Sequence, residues 1–162
     1  IAVLITILTG VFFLNVKINA AEVNWGLFFI SLTLGIIMLA LIGLMLAGLT
    51  LVTARHEGFI GEAVAAALYI FSGAVFPLDV LPEWLRPVGY FMPTTYWLEL
   101  LRRSLVGNVA QAFPTLSQFS NLEILGIMIG LSVLFGLVSI WVFKICDHIA
   151  RENGMIDRTT NY

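Results

Sequence analysis

Thirty consecutive residues, Trp25 to Ala54, carry no charged side chain. A helix rises about 1.5 Å per residue, so this run is about 45 Å long, enough to cross a hydrocarbon core of about 30 Å with tilt or overhang. No soluble architecture offers so long an element an apolar surrounding on all sides, and the chain as a whole agrees. Its residues are 60% hydrophobic and only 11% charged, against roughly 45–50% apolar in a soluble domain. The predicted fold class is therefore all-α, a polytopic transmembrane helical bundle.

Three further runs read as spans. Ile1 to Leu14 is short, apolar from its first residue and without a basic leader, and reads as a span entered part-way. Phe59 to Phe76 holds one charge, Glu62, and Leu122 to Cys146 holds Glu123 and Lys144 only at its ends. The expected organisation is a membrane domain over 1–146, with spans at 1–14, 25–54, 59–76 and 122–146. A polar tail follows over 147–162.

The segment between the third and fourth runs is neither loop nor span. Pro77, Pro82, Pro87 and Pro93 punctuate it, and each removes an amide donor and disfavours helix at the residue before it, which excludes one continuous helix. Pro82 is expected to open a short helix with Glu83 in its first turn, stopped by Pro87 and Gly89. Pro93-Thr94-Thr95 is expected to open a second, capped by a threonine and closed by Gly107. Trp97, Leu101 and Leu105 then share one stripe and Glu99, Arg102 and Arg103 another, so this helix is amphipathic. With Trp84, Tyr90, Phe91 and Tyr96 nearby, the prediction is a pair of interfacial or re-entrant helices over about 82–107 that returns to the face it left.

Charge does not orient the chain. Lys17, Arg86, Arg102 and Arg103 fall on one side of the predicted bilayer and Arg55, Lys144, Arg151 and Arg158 on the other, a tie under the positive-inside rule. The net charge of −2 offers no basic surface for nucleic acid. Gly126 and Gly130 form a G-x-x-x-G, and Gly43 with Ala47 a weaker pair of the same kind; packing within one chain is the expectation for both.

Catalytic motifs are missing. His56-Glu57 begins like a zinc-protease helix, but residue 60 is Ile where the second histidine belongs. Neither a Walker sequence nor a G-x-S-x-G occurs. Any energy must come from another polypeptide or from a gradient, and no metal or cofactor is expected. Glu62 is the ionisable residue clearly inside a run, and such residues are functional candidates because charge in hydrocarbon is costly. Its shallow position favours an interfacial or helix-pairing role over a proton carrier. The Glu99–Arg102/Arg103 grouping is expected to be the solvated face of its helix, a gate ion pair being the alternative.

Ser72-Gly73, Phe76-Pro77, Leu81-Pro82-Glu83-Trp84-Leu85, Pro93-Thr94-Thr95-Tyr96, Glu99 and Arg102, in that order, resemble the last part of ABC-2 type permeases, the membrane subunits of one class of ATP-driven exporters. The resemblance implies the last four of six spans, with external helices between the fifth and sixth that help form an outer gate. Pro77, Pro82, Trp84, Pro93, Tyr96, Glu99 and Arg102 are the residues it places there. It also implies a cytoplasmic loop at Arg55, His56 and Glu57 that touches an ATPase subunit, and a cytoplasmic tail. A second permease copy or homologous permease, a separate subunit that binds ATP, and a prokaryotic plasma membrane complete the expectation. The alternatives are a secondary transporter, which would need coupling residues at mid-membrane, and a non-catalytic scaffold subunit.

Overall fold

The computed structural model describes residues 23–53, 57–107 and 115–153, so the predicted first span at 1–14 lies outside the described residues. The chain forms α1 (Trp25–Val52), α2 (Glu57–Phe71), a single 3₁₀ turn (Leu78–Val80), α3 (Arg86–Phe91), α4 (Pro93–Val106) and α5 (Asn121–Glu152). Among the described residues every regular element is helical, an all-α membrane bundle. α1 has 28 residues and α5 has 32, and both are long and apolar enough to cross a membrane.

Three contacts set the directions. Leu41 of α1 meets Gly136 of α5, Gly48 meets Phe143, and the Ser139 hydroxyl donates to the Leu41 carbonyl. Partners rise together along both sequences, so α1 and α5 run parallel. Both therefore begin at the same end, which α4 also occupies: the Asn24 amide donates to the Ser104 carbonyl at 2.9 Å. The core sits there, where Tyr96 and Leu100 of α4 close on Leu116 and on Ile124 and Met128 of α5, with Leu27 and Leu34 of α1 packed against them.

α2 returns the chain toward that end but stops early. Its 15 residues rise about 22 Å, against about 42 Å for α1. The expected span continued to Phe76; the helix ends at Phe71 because Ser72 and Gly73 turn the chain, Gly73 adopting a φ of 73°, a conformation that favours glycine. The remaining distance is covered from the other side. The Phe91 ring lies 5.6 Å from that of Phe135, fourteen residues into α5 and so about 21 Å from its start. The proline segment thus dips between the helices and returns, meeting α2 inside the bundle.

Pro87 acts differently from the sequence expectation. Residues 82–85 form a turn, with the Leu85 and Arg86 amides both donating to the Pro82 carbonyl, and the short helix begins only at Arg86. Pro87 occupies its first turn, where a missing amide costs nothing and a fixed φ is already helical. It starts the helix instead of ending it. α4 likewise begins at Pro93 with Met92 as its N-cap, so the threonines lie inside the first turn. α5 runs six residues past Cys146, into the expected tail, where Asp147 and Arg151 pair at 2.9 Å one turn apart and support the last turns.

Candidate functional site

Broken backbone inside a bilayer persists only where protein replaces water as hydrogen-bond partner, and here side chains do so. Thr95 Oγ1 donates to the Gly89 carbonyl at 2.7 Å and reaches the Phe71 carbonyl at 3.4 Å. The Tyr96 hydroxyl donates to the Tyr90 carbonyl at 2.8 Å. Arg86 donates to the carbonyls of Leu81 and Asp79 at 3.0 and 2.8 Å, tying the 3₁₀ turn to α3. Close approach completes the join: a Cβ on Gly89 would stand 2.8 Å from the Phe71 carbonyl oxygen and 2.6 Å from Leu78. Only glycine fits there.

The charged grouping on α4 is not a solvated face. Glu99 is 3% exposed, and its two oxygens are taken separately, Oε2 by Arg102 at 2.6 Å and Oε1 by Arg103 at 2.8 Å. Arg103 also donates to the carbonyls of Leu116 and Phe119 at 2.6 and 2.7 Å and to Asn121 Oδ1 at 3.1 Å. Arg102 reaches the Gly73 carbonyl at 3.4 Å. One carboxylate therefore joins, through two guanidinium groups, the end of α2 to the start of α5. A cavity of about 10 Å³ bordered by Ser72, Thr95, Glu99 and Thr115 adjoins it, room for about one water.

A second cavity, about 620 Å³, opens where α2 stands away from its neighbours. Ile42 and Met45 of α1, Leu68 of α2, Phe91, Pro93 and Phe135 border it, all apolar. No group of three or more histidine, cysteine or acidic side chains is arranged to hold a metal among the described residues.

The remaining expected site residues fall apart from this junction. Pro77 precedes the 3₁₀ turn as its N-cap, Pro82 makes the turn before α3, and Trp84 is 76% exposed. Pro93 and Tyr96 are buried at the start of α4. Glu62 is exposed on α2 and makes no ion pair among the described residues. Arg55 and His56 lie outside the described residues, and Glu57 is the first residue of α2. Sequence reasoning named Arg103 only with Arg102 as a possible partner of Glu99; its bonds to Leu116, Phe119 and Asn121 left no signal in the spacing.

Two parallel helices long and apolar enough to cross a membrane, joined through a side-chain-satisfied segment, are the frame of an integral membrane protein. Residues 1–106 match the family described as ABC-2 type transporter, and the chain belongs to that family, the membrane component of ABC transporters, which is not itself catalytic. No match was found among curated proteins or solved structures.

Proposed function

We propose that this chain is the permease part of an ABC exporter, forming the translocation path while a separate subunit binds and hydrolyses ATP. A second permease copy or a homologous one completes the path, in a prokaryotic plasma membrane. Residues 77–121 face outward and act in the outer gate, through Pro77, Pro82, Trp84, Pro93, Tyr96, Glu99 and Arg102. Arg55, His56 and Glu57 form a cytoplasmic turn against the ATPase, the tail from Asp147 lies on the same side, and Glu62 sits at the cytoplasmic headgroup level.

The observation that carries this reading is the parallel course of α1 and α5, with α4 at their common start. The described residues between α2 and α5 then connect helix ends at one membrane face, which supports an outer gate there. A dipping pair of short helices supports the gate reading, because it can seal a path without adding a crossing.

Single cysteines at Glu83 and Asn153, on a Cys146→Ala background, test the topology. An impermeant maleimide should label position 83 in intact cells and position 153 only after permeabilisation. Labelling of both from one side defeats the assignment. Purification should also bring down a nucleotide-hydrolysing subunit, and transport by the permease without one defeats the exporter reading.

A further inference from the structure

Three features are not explained in detail by this reading: the apolar cavity, the Gly126/Gly130 face of α5, which meets no described residue, and the way the charged junction on α4 is held. Nothing in the structure says what occupies the first two. The junction carries more, because the arginines that share Glu99 on α4 reach outward to named partners at Gly73, Leu116, Phe119 and Asn121.

We infer that Arg103 is a positioning residue that, through Glu99 and Arg102, locks the end of α2 to the start of α5, so that these parts of the outer gate move as one body. The inference rests on the permease reading for its role in transport, though not for the lock itself. Arg103 spends one nitrogen on Glu99 and its others on Leu116, Phe119 and Asn121. A planar guanidinium supplies that fork; a lysine ammonium, a single point of charge, cannot span it. Arg102 reaches Gly73 from the other carboxylate oxygen. The two arms meet at a carboxylate removed from water, where charge-assisted bonds are strongest.

A weaker tie runs alongside. The Leu78 amide donates to Thr115 Oγ1 at 3.2 Å, and that hydroxyl donates to Asp79 at 3.0 Å. Its members are neutral or exposed, so it follows the junction and does not replace it.

The test is the distance between spin labels at Val75, after α2, and Leu122, at the start of α5, in the full chain in lipid nanodiscs with Cys146 replaced by alanine. Wild type should give one narrow distribution. Arg103→Lys and Glu99→Gln should shift or spread it by about 5 Å, one helical turn. Glu99→Asp should restore part of the narrow population, and Thr115→Ala should leave it unchanged. If Glu99→Gln does not fold, Arg103→Lys, which keeps the charge, decides. A lowered melting temperature with the narrow distribution intact in Arg103→Lys would reduce the residue to an ordinary stabilising contact and overturn the inference. So would loosening by Thr115→Ala alone. With the ATPase present, ATP and vanadate should leave this distance unchanged in wild type and should change the separation of Leu122 labels between two permease copies. Failure of that arm counts against the permease reading, while the nucleotide-free comparison still decides the lock.

Discussion

Gly35 of α1 lies directly under the indole of Trp97 in α4, so close that a Cβ at residue 35 would overlap the ring. That contact seats the amphipathic helix on the first long helix, and its absence of a side chain is what allows it. Gly35→Ala should therefore push α4 off α1 and cost about 1–3 kcal/mol, the range for overpacking a filled site. Trp97→Leu should recover part of the loss in the double variant, since the two residues are in contact. Thermal unfolding of the purified protein in detergent measures both. Alanine at Gly126 or Gly130 serves as the control and should not lower the melting temperature, because no described residue lies within 4 Å of either position and alanine is the better helix former.

Thr95→Val keeps the shape of the side chain and removes its hydroxyl, leaving the Gly89 carbonyl without that donor inside the bundle. The carbonyl keeps the Met92 amide at 3.2 Å, so the loss is that of one net hydrogen bond, about 0.5–1.5 kcal/mol. Tyr96→Phe removes the bond to the Tyr90 carbonyl and should cost at least as much. Denaturation midpoints should fall in both variants; unchanged midpoints would mean that water takes over both carbonyls.

Ser139 offers a smaller effect between the two long helices. Its hydroxyl bonds the Leu41 carbonyl, and such bonds between membrane helices average about 0.6 kcal/mol. Ser139→Ala should lower stability by that order and leave the fold intact. A loss several times larger would show that the serine also sets the spacing of α1 and α5.

Alkaline pH should loosen the segment. Burial raises the Tyr96 phenol above its ordinary 10.0, and the charge of Tyr90 adds to this; burial, then Asp79, raises Tyr90 against an opposing Arg86. For an acid whose folded pKa is raised, the unfolded chain loses its proton first. Stability is then fully present below pH 10.0 and is lost as pH rises through the folded values. Melting temperature against pH should turn downward near 10, and Tyr96→Phe should flatten the part due to that residue.

The long elements were legible because composition alone decides them: α1 is a run with no charge to interrupt it. The breaks were legible as breaks, since each proline removes a donor whatever surrounds it. Their sense was not, and Pro87 shows why. A proline both ends one helix and starts another, and only the turn at residues 82–85 decides between them. Glu99 was misread for a related reason. Its spacing from Arg102 and Arg103 is what a solvated face would show, while the acceptors that make it a junction, at Gly73, Leu116 and Phe119, lie thirteen or more residues from the arginines they bind. The small-residue motif is not where the close contacts among the described residues fall: Gly126 and Gly130 meet none of those residues, while Gly35, Gly48 and Gly136 make the close contacts.

The brevity of α2 reaches beyond the protein. Fifteen residues stand beside neighbours of 28 and 32, so the apolar belt is lower on one flank than on the other. Lipids on the low flank must thin or tilt to match it, at a fraction of a kcal/mol per Å. Bilayer thickness thereby becomes a one-sided load on the molecule, felt most where α2 meets the dipping segment.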